Sequence, residues 1–208
     1  MRRVNLSTEL LQSSNLDIPF KAGLMCTNNF DKSDDFEKNK FLLNMVNEKH
    51  YSVIEHLSYS FVVRNISRAL LQELARHRLV SLSVLSTRWA LKKITKDIEV
   101  HYPVYVPATV QQTKILNELD AISEKLFNLI GEAAASGMPN DILKYYIQES
   151  LCTSLVLTVN ARELIHIFEL RTSKRALKEF RSLCYSLFDS LPEDHKFLFE
   201  KFIEKDLS

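Results

Sequence analysis

Apolar and polar side chains alternate along residues 57–63, LSYSFVV, so every second residue would fall on one face of an extended chain. This period of two predicts a β-strand. Residues 154–159, SLVLTV, are apolar enough for a second strand, but their periodicity fits the end of a helix equally well. The segment HYPVYVP at 101–107 is expected to be a short extended piece, because its two prolines restrict the backbone.

Elsewhere apolar residues recur every three or four positions, which predicts helices. After a break at Arg64–Asn65, Ser67 is a plausible cap for a helix over 68–78. Asn160 and Glu163 have the spacing of a helix cap and its reciprocal partner. The other predicted helices cover 109–135 (with an apolar pattern at Ile115, Leu119, Ile122, Leu126 and Leu129), about 139–149, 161–171, 173–190 and 193–205. These elements predict the α+β class, with a small, mostly antiparallel sheet flanked by several amphipathic helices in a single domain.

The composition argues against several classes of protein. The chain has 208 residues and a formal net charge of +1, so as a whole it is not a binder of polyanions. No unbroken apolar run of about 18 residues occurs, which argues against a membrane span. The start of the chain lacks the pattern of a secretory signal, and three widely separated cysteines form no CxxC pair. We therefore expect a cytoplasmic protein without a disulfide framework or a structural zinc site.

Only three glycines occur, and none belongs to a GxGxxG or GxxxxGK[ST] loop. If a nucleotide binds, side chains must hold its phosphates. Residues 75–96 are the first candidate, because they contain six Lys or Arg residues, one His and no acidic residue. Ser81, Ser83 and Ser86 add hydroxyl donors to these cations, a mixture that suits a phosphate or a carbonyl-rich heterocycle. A solvated basic face and RNA binding by the 76–96 run are the alternatives.

The tripeptide RHR at 76–78 would fall in the last turn of its predicted helix. Consecutive helical residues are rotated by about 100°, so its two arginines should point apart and serve two anions or two parts of one long ligand. A second polar cluster joins Arg162 and His166, four residues apart on one helix face, with Arg171 ending that helix on another side. No metal site is predicted, because no further ligand at suitable spacing accompanies His166, and a satisfied, partly buried histidine is the plainer interpretation.

The stretch RHRLVSLSVLS, residues 76–86, resembles the signature of the flavin-dependent thymidylate synthases, which is Arg-His-Arg, any seven residues and then Ser. The family's usual arginine follows two positions later as Arg88. Two further blocks occur in the family's order and spacing, a His–x5–His block at 50–56 and an Asn-Ala-Arg block at 160–162. A tripeptide alone would be a weak match, but several blocks in the right order make the resemblance specific.

This resemblance implies an enzyme that converts dUMP to dTMP, with 5,10-methylenetetrahydrofolate as carbon donor and FADH2, regenerated by NADPH, as hydride donor, giving tetrahydrofolate. It also implies a homotetramer with active sites at subunit interfaces, and partners that include neither nucleic acid nor membrane. The expected catalytic residues are Arg171, which would activate the pyrimidine ring, and His50, near the flavin ring. The expected FAD-binding residues are Ser52, Arg76, His77, Arg78, Asn160, Arg162 and His166. The expected dUMP-binding residues are Glu73, Arg76, Val84, Ser86, Arg88, Lys144 and Arg171.

Two other hypotheses stay open at this point. One is a family member that binds flavin and a pyrimidine nucleotide but has weak or altered transfer activity. It is motivated by departures from the family's pattern, which are Ser83 for Asn, Val84 for Glu or Gln, Trp89 for Tyr, Lys144 for Arg and Gln148 for Pro. The other is a non-enzymatic RNA-binding protein that uses the basic run at 76–96. Flavin colour in the purified protein separates this last hypothesis from the rest.

Overall fold

The computed structural model of the protein describes residues 2–31, 36–94, 98–100 and 108–204. Its α-helices are α1 (Asp17–Cys26), α2 (Lys38–Asn47), α3 (Tyr51–Ile54), α4 (Arg68–Leu74), α5 (Thr87–Ile94), α6 (Val110–Ala135), α7 (Asn140–Leu143), α8 (Ala161–Arg171) and α9 (Lys178–Asp189). Its strands are β1 (Arg2–Arg3), β2 (Ser7–Ser13), β3 (Ser58–Ser67), β4 (Val80–Val84), β5 (Glu99–Val100) and β6 (Cys152–Asn160). Short 3-10 helices cover Lys144–Tyr146, Glu193–Leu198 and Glu200–Phe202. The prediction of an α+β fold is confirmed.

Four of the strands form a small antiparallel sheet in the order β2-β3-β6-β4. Strand β3 confirms the strand predicted at 57–63 and continues to Ser67. Asn65, at the expected break, has a left-handed backbone with φ of 60° but lies inside this strand. Strand β6 shows that residues 154–159 are extended and not the end of a helix. The two-stranded pair of β1 and β5 is parallel, which fits a fold that is mostly but not wholly antiparallel.

The described residues form two compact units. The first unit comprises the described parts of Met1–Leu6, Arg64–Gln72 and Val84–Leu155. The second comprises those of Ser7–Val63, Glu73–Ser83 and Val156–Ser208. The single domain expected from the sequence stays a prediction, and each unit is considered by itself below.

Helix α6, in the first unit, confirms the helix predicted over 109–135. The hydroxyl of Thr109 accepts a hydrogen bond from the backbone amide of Gln112 at 3.2 Å, which caps the first turn. Just beyond the last turn, Gly137 has φ of 93°, a conformation that glycine adopts without the steric cost of a Cβ atom. Local signals at both ends therefore set the length of this helix.

Only one apolar side of α6 is covered within the first unit. Phe127, Ile130 and Ala134 are buried in a cluster with residues of α5, α7 and β5. Of the predicted apolar pattern, only Leu126 packs against this cluster. The remaining four residues, here called the α6 stripe, are Ile115, Leu119, Ile122 and Leu129, with exposed fractions of 48 %, 54 %, 62 % and 51 %. The sequence pattern thus predicted the helix correctly, but four of its five apolar residues lie on a face that the first unit leaves exposed to solvent.

Aromatic side chains fill the core of the second unit. The ring of Phe199 meets Phe168 of α8 edge to face at a centroid distance of 5.9 Å and Tyr59 of β3 at 5.8 Å. The Tyr59 hydroxyl lies 3.1 Å from Nδ1 of His195, and burial lowers the pKa of that histidine. Truncating a buried aromatic residue to alanine typically costs about 3–5 kcal/mol of stability. This packing keeps α8 in place, and α8 carries much of the candidate site.

Several predicted helices are shorter than expected. The helix predicted over 173–190 begins only at Lys178. Within the range predicted as a helix over 193–205, the described residues form two short 3-10 helices, Glu193–Leu198 and Glu200–Phe202. The helix predicted over 139–149 lasts one turn as α7 and then tightens into a 3-10 helix. Such tight turns are common where a helix is too short to propagate, since few hydrogen bonds offset the cost of its nucleus.

Two further sequence-based expectations concern residues 101–107 and membrane spans. The extended segment predicted at 101–107 lies outside the described residues. Among those that are described, no helix combines the length and the apolar character that crossing a membrane requires.

Candidate active site

The tripeptide at 76–78 lies in the turn between α4 and β4, and not in the last turn of a helix as predicted. The amide of Leu70 donates to the Ser67 hydroxyl at 3.0 Å, which confirms the predicted cap of α4. Helix α4 ends at Leu74, whose carbonyl oxygen accepts a hydrogen bond from the amide of His77 at 3.0 Å. The rotation of about 100° expected between the two arginines therefore does not apply, because no helix continues through them.

Helix α8 supplies the second part of the site. The side-chain oxygen of Asn160 accepts a hydrogen bond from the amide of Glu163 at 2.8 Å, so the predicted cap is confirmed. The Glu163 carboxylate, expected to be its reciprocal partner, is buried and instead lies against the imidazole of His77. One residue earlier, the exposed Arg162 forms an ion pair with Glu55 at the end of α3.

A cavity of about 570 Å³ is lined by the 76–78 turn and by α8, all within the second unit. Its cationic groups outnumber its one carboxylate, so the cavity suits an anion that also carries planar polar groups. Both arginines of the tripeptide line this same cavity, so of the two expected uses the cavity favours two parts of one long ligand over two separate anions. The lining residues are Arg76, His77, Arg78, Leu79, Glu163, His166, Leu170 and Arg171.

His77 is 5 % exposed and has a charged partner at each ring nitrogen. Its Nδ1 atom lies 3.1 Å from Oε1 of Glu163, and its Nε2 atom lies 3.1 Å from Nε of Arg171. Desolvation by burial lowers the pKa of His77, an effect that outweighs the hydrogen bond to Glu163. The imidazole is therefore neutral at physiological pH.

Arg171 is held from three sides. Its Nε atom faces His77, and its Nη1 atom donates to Oε2 of Glu73 at 2.7 Å. Its guanidinium carbon also lies 4.8 Å from the ring centroid of Phe180, within the range of a cation–π contact. The Arg171 side chain is only 18 % exposed. A guanidinium fixed in this way offers its remaining donors to a ligand in the cavity without first having to be ordered.

Three groups in the cavity have the chemistry of metal ligands. The ligand atoms of His77, Glu163 and His166 all lie within 4.8 Å of one another. However, one nitrogen of His77 already faces the guanidinium of Arg171 at 3.1 Å, and a metal ion there would be repelled by that charge. The arrangement favours an anion in the cavity over a metal ion.

A second, smaller cavity of about 330 Å³ lies in the first unit. Nε of Arg88 lies 3.0 Å from Oδ1 of Asp141, and Asn140 donates a hydrogen bond to the Arg88 carbonyl oxygen at 2.7 Å. The lining consists of Arg88, Trp89, Pro139, Asn140 and Asp141. The Trp89 ring is 83 % exposed, so this cavity presents an open aromatic surface beside an arginine.

Comparisons with known proteins give consistent results. The family described as thymidylate synthase complementing protein matches residues 9–195 of the chain. A flavin-dependent thymidylate synthase from Campylobacter jejuni is 40 % identical over 202 residues, which is 95 % of this chain and 98 % of that protein. The chain belongs to the flavin-dependent thymidylate synthase family.

Further relatives of this family support the assignment. A flavin-dependent thymidylate synthase from Wolinella succinogenes is 38 % identical over 198 residues, covering 93 % of this chain and 97 % of that protein. The crystal structure of thymidylate synthase X from Helicobacter pylori with FAD and dUMP matches with a TM-score of 0.80 and 32 % identity. This match covers 96 % of the present chain and all of that one.

The residues that the family resemblance singles out are only partly brought together. The second-unit cavity collects five of them, which are Arg76, His77, Arg78, His166 and Arg171, and Glu73 contacts the last of these. His50 and Ser52 lie at the start of α3, and neither lines this cavity. In the first unit, Arg88 lines the smaller cavity, whereas Val84, Ser86 and Lys144 do not. The assignment of these residues to FAD or dUMP binding stays a prediction.

Sequence reasoning missed two residues of the site, Glu163 and Phe180. Glu163 was understood only as part of a helix cap, although it shares a helix face with the buried Ile167 four residues later. A carboxylate on the packed face of a helix needs a partner, and this was the available signal. Phe180 carries no such signal, because an apolar residue in an amphipathic helix is indistinguishable from any other core residue.

Proposed function

We propose that the protein converts dUMP to dTMP, with 5,10-methylenetetrahydrofolate as carbon donor and FADH2, regenerated by NADPH, as hydride donor. One observation carries this proposal. Within a chain of the flavin-dependent thymidylate synthase family, a guanidinium fixed by His77 and Glu73 faces a cavity bordered by two more arginines. Such an arrangement would bind an anionic nucleotide beside a redox cofactor and stabilise negative charge on its ring.

The donors of the cavity fit FAD. Arg76 and Arg78 offer charge-assisted hydrogen bonds to a pyrophosphate, and His166 adds a ring nitrogen at the edge of the same cavity. Because the sequence has no glycine-rich phosphate loop, side chains must take over that role. FAD, when bound, supplies the two electrons that turn a transferred methylene group into a methyl group. The residues expected to hold it are Ser52, Arg76, His77, Arg78, Asn160, Arg162 and His166.

Arg171 would bind the pyrimidine ring of dUMP. Of the five N–H donors of a guanidinium, the bonds to His77 and Glu73 use two, which leaves three for the carbonyl edge of a ring. A cation that is already fixed stabilises negative charge developing on the ring in the transition state more than it stabilises the ground state. We assign His50, directly before α3, to the side where folate and NADPH approach.

Four of the other expected contacts to dUMP belong to the first unit, so we propose that subunits of a homotetramer complete each active site. Val84, Ser86, Arg88 and Lys144 would come from one subunit and Arg171 from another. The α6 stripe supports this assembly, because four large apolar side chains on one helix remain about half exposed in the single chain. A second copy of the chain is the occupant that would cover them.

The test of this function is an assay of dTMP formation with one component omitted at a time. The protein, dUMP, methylenetetrahydrofolate, FAD and NADPH together should give dTMP, and leaving out any one of them should stop the reaction. A protein that binds FAD but gives no dTMP would support the family member with altered transfer activity. A protein that binds RNA and no flavin would support the non-enzymatic alternative.

Arg78→Ala should weaken FAD binding by about tenfold to a hundredfold, because a charge-assisted hydrogen bond contributes roughly 1.5–3 kcal/mol. Titration of flavin fluorescence measures the affinity. The control is Arg175→Ala, which removes the same type of side chain from an exposed position beyond α8 and should leave the affinity unchanged. Equal affinity of the Arg78→Ala variant and the parent would remove Arg78 from the flavin site.

A further inference from the structure

A buried carboxylate lines the cavity and has no role in the function proposed above. Glu163 is 6 % exposed, and its Oε1 atom lies 3.1 Å from Nδ1 of His77, which is itself buried. His77 in turn lies 3.1 Å from Nε of Arg171, whose Nη1 atom reaches Glu73. Contacts thus link four side chains in one continuous row, in the order Glu163, His77, Arg171 and Glu73. The row runs from a buried carboxylate to a half-buried one and includes the arginine that lines the cavity.

The proton positions in this row follow from the chemistry of its members. The Nε–H group of Arg171 can only donate, so Nε2 of His77 must be the acceptor and must lack a proton. A neutral imidazole then carries its proton on Nδ1, and this proton points at the Glu163 carboxylate, which can only accept. Every hydrogen bond of the row is satisfied by this one arrangement. If the proton moved to Nε2, two donors would face each other at the arginine.

We propose that Glu163 is a positioning residue for Arg171 and acts through His77. By holding the proton of His77 on Nδ1, the carboxylate keeps the Nε2 lone pair free to accept from Arg171, and so fixes the orientation of the guanidinium. The effect on turnover rests on the proposed function, since it requires that Arg171 act on the substrate. The effect on the proton of His77 does not, because it depends only on the contacts within the chain.

A purely structural role for Glu163 makes different predictions. As a buried residue in the first turn of α8, Glu163 could simply support the start of that helix. Replacing it would then change stability without changing the proton position of His77. It would also lower activity by the same factor whether or not Arg171 is present. Both quantities can be measured.

The first measurement is the nitrogen-15 NMR spectrum of the histidine side chains, assigned to His77 with a His77→Gln variant. In the parent, His77 should show a protonated Nδ1 and an unprotonated Nε2. In Glu163→Gln, the side chain keeps its size but offers an N–H donor as well as an oxygen, so a second population with the proton on Nε2 should appear. The control is Glu169→Gln, which removes the same charge from an exposed position on the same helix and should leave the spectrum of His77 unchanged.

The second measurement is a double-mutant cycle with Arg171. Glu163→Gln should lower kcat about tenfold and leave the KM for dUMP and the affinity for FAD within about twofold. In the Arg171→Ala background the same change should lower kcat by less than about twofold, since the group that Glu163 positions is gone. Melting temperatures of all four proteins show whether each is folded.

The proposal would be overturned by a parent spectrum with the proton on Nε2, or by an equal loss of kcat in both backgrounds. The parent spectrum does not depend on Glu163→Gln, so it can still overturn the proposal if that variant does not fold. A parent that makes no dTMP would refute the proposed function, whereas the proton position of His77 would still test the positioning role separately.

Discussion

Replacing Arg171 with alanine is expected to lower the turnover of dUMP by at least about a hundredfold, the usual cost of losing one preorganised donor. FAD should still bind, because Arg76 and Arg78 remain in the cavity. The fold should also persist. Glu73, which loses its partner, is 38 % exposed in its side chain and can be solvated, so no charge is left buried on that side. The measurement is steady-state dTMP formation together with flavin content and melting temperature.

Two further variants sharpen this prediction. Arg171→Lys should recover only part of the activity, because an ammonium is a point charge and cannot donate to His77, Glu73 and a ligand with the geometry of a guanidinium. Arg175→Ala, the matched control just beyond α8, should be fully active. If Arg171→Ala folds, binds FAD and turns over dUMP within a few-fold of the parent, the catalytic role assigned to Arg171 is wrong.

Introducing two carboxylates on the α6 stripe is expected to dissociate the proposed tetramer and thereby to abolish dTMP formation. The variant carries Leu119→Glu and Ile122→Glu. Each parent side chain buried at a subunit contact contributes about 1.5–3 kcal/mol per subunit, and a carboxylate in its place adds a desolvation penalty. The chain itself should still fold, because both positions are more than half exposed within it. Light scattering at micromolar concentration measures the assembly.

The control for this variant introduces the same charges elsewhere on the same helix. Asn117 and Asn128 are exposed and lie on the side of α6 away from both the stripe and the buried cluster. Asn117→Glu with Asn128→Glu should therefore leave the tetramer and the activity intact. A stripe variant that stays tetrameric and active would show that the stripe is not a subunit contact, and a monomeric parent would refute the assembly itself.

Local sequence signals predicted much of the fold. Alternation at 57–63 identified β3, and the caps Ser67 and Asn160 identified the starts of α4 and α8. These signals work because each depends on residues that are neighbours in the sequence. The end of α4 was missed for the same reason. Residues 75–78 are acceptable in a helix locally, but in the structure they lie in a turn, and 76–78 line a cavity together with residues of α8.

The site was predictable as a set of residue types but not as an arrangement. The family motifs named Arg76, His77 and Arg171, yet they could not indicate that the last two contact each other across 94 positions of sequence. The sequence does not single out Glu163 as a site residue, because a helix cap with Asn160 already explains a glutamate at that position. Periodicity likewise predicted α6 but could not tell the face that its own unit covers from the face that its own unit leaves exposed, since both are apolar.

In the proposed function, this chain reduces a methylene group on dUMP with electrons from FADH2 and not from folate. The most direct measurement is the folate product formed for each dTMP in an anaerobic reaction started with NADPH. We predict one tetrahydrofolate released and one NADPH consumed for each dTMP. Absence of dTMP, or one dihydrofolate formed for each dTMP, would refute the proposed function.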